Sequence, residues 1–312
     1  MGTADNNTSL APSPDVRCLE DLPSGVMHLE NLKTIRVEGE EAEHFLHNQF
    51  SSDVSALAAG QQQPGAYCNP KGRALAIYRL LRDDTGFNLV LPDDLAEIVS
   101  RRLTLYRMRS RVEIGIGERT GVFGYIGDLP QSANMWRLDN RRAMRLVADS
   151  PGPDESLEHQ TPVLPGEFWK LAAILAGEPQ VYAATSESFI PQQVNLDLVG
   201  GVSFSKGCYP GQEIVARVRY LGKIKQRMTG AVIQGAGADA APGDPLFIRE
   251  RPGQKAGMVV DAVRFPDSTW LSAMVPVEIL DAGEIHLGTA DGPQLSLLPP
   301  PYSIATERSR PA

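Results

Sequence analysis

Residues 206–213 read Lys-Gly-Cys-Tyr-Pro-Gly-Gln-Glu, a cysteine in a turn bracketed by glycine and proline, with a glutamate five residues on. The run that follows, Ile-Val-Ala-Arg-Val-Arg over 214–219, has helical spacing, so Cys208 is expected just ahead of a helix start. Backbone N–H groups without intrahelical partners and the positive end of the helix dipole favour a thiolate there. Between 206 and 227 stand six basic residues (Lys206, Arg217, Arg219, Lys223, Lys225, Arg227) and one acid, Glu213. The pattern suits a reactive or metal-ligating thiol. The alternative is a buried cysteine acting as a small hydrophobe, as most free cysteines do. No histidine follows at a spacing that suggests a Cys–His dyad. Glu213 in the first helical turn, and Pro210 and Gly211 before it, fit a tight entry into a helix without any chemical role.

Other constellations carry less. Arg101, Arg102, Arg107, Arg109 and Arg111 form a basic run without an intervening acid. It suits phosphate or carboxylate, or else a solvated helix face. His44 and His47 are three residues apart on an expected helix, but no third metal ligand accompanies them. Cys68 precedes an Asn-Pro-Lys-Gly turn, and Gly115-Ile-Gly117 lacks the remainder of a nucleotide-binding pattern. Trp169 shares a helix face with Ala172, Ala173 and Ala176, which makes it either a core residue or a flat wall for a ring-bearing ligand.

The elements that must position these residues alternate between strand and helix. Strands are expected within 26–38, on either side of the turn at 69–72, and near 87–91, 112–116, 122–126 and 144–148. Helices are expected from 39 to 49, from 92 to 106, over 166–176 and after 211. Residues 149–165 read as a linker. From 229 onward short strands separated by Gly, Pro or Asp are spaced like a small barrel. The class is α+β. With 312 residues, 42% of them hydrophobic, the chain is long enough for two or three domains. A net charge of −8, with only Tyr106 and Tyr220 as stacking aromatics near the basic runs, weighs against direct RNA binding. Three dispersed cysteines encode neither a disulfide framework nor a cysteine-only metal site, and the expected setting is a reducing cytoplasm with no membrane association.

Residues 189–213, Phe-Ile-Pro-Gln-x-x-Asn-Leu-Asp-x-x-Gly-Gly-Val-Ser-Phe-x-Lys-Gly-Cys-Tyr-x-Gly-Gln-Glu, closely resemble the signature of the YgfZ family. These are folate-binding proteins related in fold to the glycine-cleavage T-protein. Leu46–Val54, the Cys68-Asn-Pro-Lys-Gly-Arg73 turn and the Trp169 helix are similar to other parts of that family, and the resemblance spans about 26–302. It implies a three-lobed aminomethyltransferase-like ring with a central folate cavity and a C-terminal β-barrel. The lobes would be 24–54 plus 160–228, carrying the cysteine motif; 55–150, ferredoxin-like; and 229–312, with a disordered tail over 1–23. It implies a role in assembling or repairing iron–sulfur clusters in certain enzymes, tRNA-thiolating ones included, with those enzymes and cluster-assembly proteins as partners. The cofactors implied are tetrahydrofolate or a derivative and a transiently held cluster. Cys208 is then the functional thiol, within the motif of Lys206, Gly207, Tyr209, Gly211, Gln212 and Glu213. Of two family tryptophans associated with folate, one matches Trp169 and the other falls at Leu32. The T-protein uses an aspartate for one-carbon transfer. The matching stretch, Gly72-Arg-Ala-Leu75-Ala-Ile77, has no acid, so classical aminomethyl transfer is not expected. A one-carbon transferase or demethylase is the alternative.

Overall fold

The computed structural model describes residues 11–13, 15–117, 120–128, 135–148, 161–236, 238–250, 253–280 and 284–304. Strands β1 (Gly25–His28) and β2 (Leu32–Glu38) are consecutive but enter different sheets. β2 joins β3 (Gln62–Cys68), β4 (Ala74–Arg82), β5 (Gly86–Pro92) and β6 (Glu113–Ile116) in the antiparallel order β3-β4-β5-β2-β6. β1 joins β7 (Thr120–Ile126), β8 (Trp136–Arg137) and β9 (Arg142–Ala148) in the order β1-β7-β9-β8. The third sheet takes β10 (Gln226–Gln234), β11 (Pro245–Ile248), β12 (Lys255–Phe265), β13 (Ser268–Pro276), β14 (Ile285–Leu287) and β15 (Ser296–Leu298). Its order is β14-β11-β12-β13-β10-β15, curled into a half-barrel.

The helices cover faces these sheets cannot leave wet. In α2 (Asp93–Tyr106) Leu95, Val99 and Leu103 recur every fourth residue and are buried, leaving Ile98 and Leu105 exposed. β4 is buried along most of its length, which explains its nearly unbroken apolar sequence. α1 (Ala42–Gln49) and α2 share one core with the five-stranded sheet. α3 (Glu167–Leu175) joins a second core that reaches the outer side of the half-barrel, and α4 (Gln212–Tyr220) follows the cysteine turn.

The expected strands and helices are found with small shifts at their ends. Two short strands, β8 and β15, were not foreseen, because two or three residues are too few to display alternation. The tail expectation is corrected over 15–23. Val16 and Leu22 are buried in the second core, and Leu19–Asp21 make one 3₁₀ turn between them. Leu19 packs against the same core, and Arg141 Nη2 donates to Leu22 O at 3.0 Å. Residues 1–10 lie outside those described, as do 149–160 of the expected linker. The linker's end is fixed, since Val26 exchanges backbone hydrogen bonds with Pro162 and Leu164.

Candidate functional site

The cysteine turn is locked by its neighbours. Gly211 caps the start of α4 with φ +82°, and a Cβ there would lie 2.6 Å from Gly72 Cα and against Asn69 O. Only glycine meets both demands. The turn therefore interlocks with the one at 69–72, where Asn69 Oδ1 accepts the N–H groups of Lys71 at 2.9 Å and Arg73 at 3.1 Å. Asn69 Nδ2 also donates to Glu187 at 2.9 Å. Gln192 Nε2 donates to Val215 O at 2.7 Å and holds α4 from the other side. Gln212 and Glu213 form the first turn of α4, where the Glu213 charge complements the helix dipole.

Lys206 reaches in the opposite direction. Its buried ammonium donates to Phe50 O at 2.6 Å and to His47 O, carbonyls at the C-terminal end of α1, where a cation is favoured. Burial pulls the Lys206 pKa down to about 8, opposed by Asp53 and Cys208. Tyr209 is buried, with its ring centre 5.0 Å from Lys206 Nζ, and burial raises its phenol pKa. Lys206 and Tyr209 thus anchor the turn while Cys208 between them is exposed. The other two thiols differ. Cys68 is fully buried and burial pushes its pKa up to about 12. Cys18 is exposed and lies 3.3 Å from Asp21 Oδ2.

Sequence reasoning missed one histidine here. His47 Nε2 lies 3.9 Å from where a Gly207 Cβ would stand, and its Nδ1 contacts Ser55 at 3.1 Å and Asp53 at 3.3 Å. Burial and then Lys206 lower its pKa, which favours the neutral ring beside the thiol turn. Nothing in the local sequence of α1 signals this neighbour. The cationic cloud expected around Cys208 is partly spent elsewhere. Arg227 is buried and bidentate to Asp197 at 2.6 and 3.1 Å, and Arg219 sits over the Phe204 ring. The second basic run is also engaged in part, with Arg111 paired to Glu40 and Arg102 over the Tyr67 and Tyr106 rings.

The second feature is a central cavity bounded by strands of all three sheets and by α3. Leu32 from the start of β2 and Trp169 from α3 both line it, far apart in sequence and on a common wall system with Ile77, Val90, Leu138 and Met144. Trp169 is also a core residue. Gly124 on β7 lets its ring approach, since a Cβ there would lie 2.8 Å from ring carbon Cζ3. Leu75 is buried in the first core, and β4 presents Ile77, Tyr78 and Arg79 to the cavity. Two carboxylates line it. Burial alone would raise the Glu178 carboxyl, but Arg142 and Arg79 outweigh burial and hold it at about 2. Arg79 approaches at 2.8 Å, and Arg142 at 2.8 and 3.1 Å. Asp261 on β12 is buried, and burial raises its pKa against the opposing effects of Lys170, the Tyr182 hydroxyl and the Ala262 N–H. Among the described residues no group of three or more His, Cys, Asp or Glu is arranged to hold a metal ion, and no helix is long and apolar enough to cross a membrane.

No family model matches the chain. Among curated proteins it is 30% identical over 315 residues to the tRNA-modifying protein YgfZ of Vibrio atlanticus (strain LGP32), covering 92% of this chain and 95% of that one. It is 30% identical over 287 residues to the protein of the same name from Hamiltonella defensa, covering 82% and 84%. Among solved structures it is similar to the glycine cleavage system aminomethyltransferase T from Bartonella henselae, with a TM-score of 0.60, 15% identity and coverage of 91% and 87%. At that identity the likeness concerns the fold, which is the aminomethyltransferase-like α+β architecture expected from the sequence. The match to curated relatives runs through nearly the full length of both chains, and the protein belongs to the YgfZ family.

Proposed function

We propose that this protein is a folate-binding accessory factor for assembly or repair of iron–sulfur clusters in a subset of enzymes, tRNA-thiolating ones among them. Cys208 is its functional thiol, and the setting is cytoplasmic. The observation that carries the reading is the pairing of an apolar-walled cavity, lined by Trp169 and Leu32, with an exposed thiol on an interlocked turn. Such a cavity suits a ring system with few polar contacts. The names of the relatives support a link to tRNA modification. Two exposed thiols, Cys208 and Cys18, cannot supply a four-thiolate cluster site, and Cys68 is buried, so a cluster held here would need ligands from a partner or a small thiol.

The test is Cys208→Ala. The variant should fold and quench its Trp169 fluorescence with tetrahydrofolate as the wild type does, while cells relying on it lose activity of iron–sulfur tRNA-thiolating enzymes. Full activity in those cells would remove the thiol from the reading. A one-carbon transferase is favoured by a single observation, the presence of Asp261 in the cavity. Against it, β4 carries no acid and Glu178 is too acidic for a general base. Catalytic formation of methylenetetrahydrofolate by the purified protein would establish that alternative.

A further inference from the structure

The two carboxylates of the cavity differ in how far they are engaged. Glu178 is saturated by two guanidinia. Asp261 is engaged through one oxygen only. Its Oδ1 accepts the Tyr182 hydroxyl at 2.8 Å and the Ala262 N–H at 2.8 Å, and Lys170 Nζ stands 3.8 Å from that same oxygen. Oδ2 has no protein hydrogen-bond partner among the described residues, although the residue is 4% exposed and lines the cavity.

The direction of this side chain is built into β12. Its register against β13 slips between Val259 and Asp261, inserting Val260 as an extra residue. Before the slip, Val259 packs in the core of the half-barrel; beyond it, Val263 and Phe265 pack in the core shared with α3. A regular strand would keep positions 259, 261 and 263 on one face. The bulge instead puts Asp261 on the cavity side with Val263. Opposite Asp261 in the ladder, the buried Ser272 hydroxyl also lacks a partner. A carboxylate oxygen with no protein partner, on a buried residue that lines a cavity, marks where a ligand's donors belong.

We propose that Asp261 reads the ligand's ring edge, with Oδ2 accepting hydrogen bonds from the exocyclic amino group and ring N–H of a 2-amino-4-oxopteridine. This rests on the folate reading above and adds to it the residue that selects an amino-substituted pyrimidine edge. A carboxylate is acceptor-only when ionised, which matches an edge that presents adjacent N–H donors. The apolar walls contributed by Leu32, Val90, Met144 and Trp169 then flank the ring.

Calorimetric titration of the full chain with tetrahydrofolate and with 2-desamino-2-methyltetrahydrofolate tests this. The wild type should bind tetrahydrofolate roughly ten- to hundredfold more tightly than the desamino compound, the range expected for a hydrogen bond to a charged group. Asp261→Asn should lose about that factor for tetrahydrofolate and change by less than about threefold for the desamino compound. Equal wild-type affinity for the two compounds overturns the proposal without reference to any variant, as does a folded Asp261→Asn protein that binds tetrahydrofolate as well as the wild type. If the wild type binds neither compound, the folate reading itself falls, and the Asp261 assignment with it.

Discussion

Replacing Glu178 by glutamine removes the anion on which two guanidinia converge, Arg142 at 2.8 and 3.1 Å and Arg79 at 2.8 Å. Burial works against the carboxylate, yet the two cations hold it at about 2 against an ordinary 4.5. That displacement corresponds to roughly 3 kcal/mol of stability at neutral pH. One fifth of the side chain (20%) remains exposed, and Arg142 keeps Asp139 at 2.7 Å. The expected loss in Glu178→Gln is therefore about 2–3 kcal/mol. Because the folded pKa lies below the unfolded one, this stabilisation is complete above about pH 4.5 and is lost as pH falls towards 2. By about pH 3.5 the gap between wild type and variant should have narrowed by roughly 1 kcal/mol. Urea unfolding followed by circular dichroism at neutral pH and at about pH 3.5 gives both values. A neutral-pH gap below about 0.5 kcal/mol, within the range of ordinary surface substitutions, would refute the reasoning. So would a gap that does not change with pH.

Gly211→Ala should lower stability by about 2 kcal/mol or more, because it forces a left-handed φ on a residue with a Cβ and drives that Cβ into the 69–72 turn. Thermal melting measures the loss, and tetrahydrofolate affinity should stay within about threefold because the turn does not line the cavity. Iodoacetamide treatment of the native protein, followed by peptide mass mapping, should label Cys208 and Cys18 and leave Cys68 unmodified until denaturant is added. With its pKa near 12, Cys68 holds only about one part in ten thousand as thiolate at pH 8, besides being inaccessible.

The linear order of residues was enough for the strand and helix inventory, because period-2 and period-3.6 apolar patterns are local properties. It was enough for the family as well, since the 189–213 signature is contiguous. The motif also announced a turn before a helix, and Gly211 and Pro210 form one. What local patterns could not carry is which distant residues meet. Lys206 reads in sequence as part of a basic cloud around the thiol, but its ammonium is spent on the carbonyls that end α1. His47 enters the same place from a segment with no sequence link to the motif. Val16 and Leu22 sit in a polar stretch and look unanchored until the core that receives them exists. Asp261 drew no notice among strand residues, because its direction depends on a one-residue register slip that inverts the alternation used to judge it. Composition and periodicity are summed over neighbours along the chain, whereas burial, pairing and pKa are set by neighbours across it. The cavity that unites Leu32, Trp169 and Asp261 therefore exists only once three sheets have closed around it.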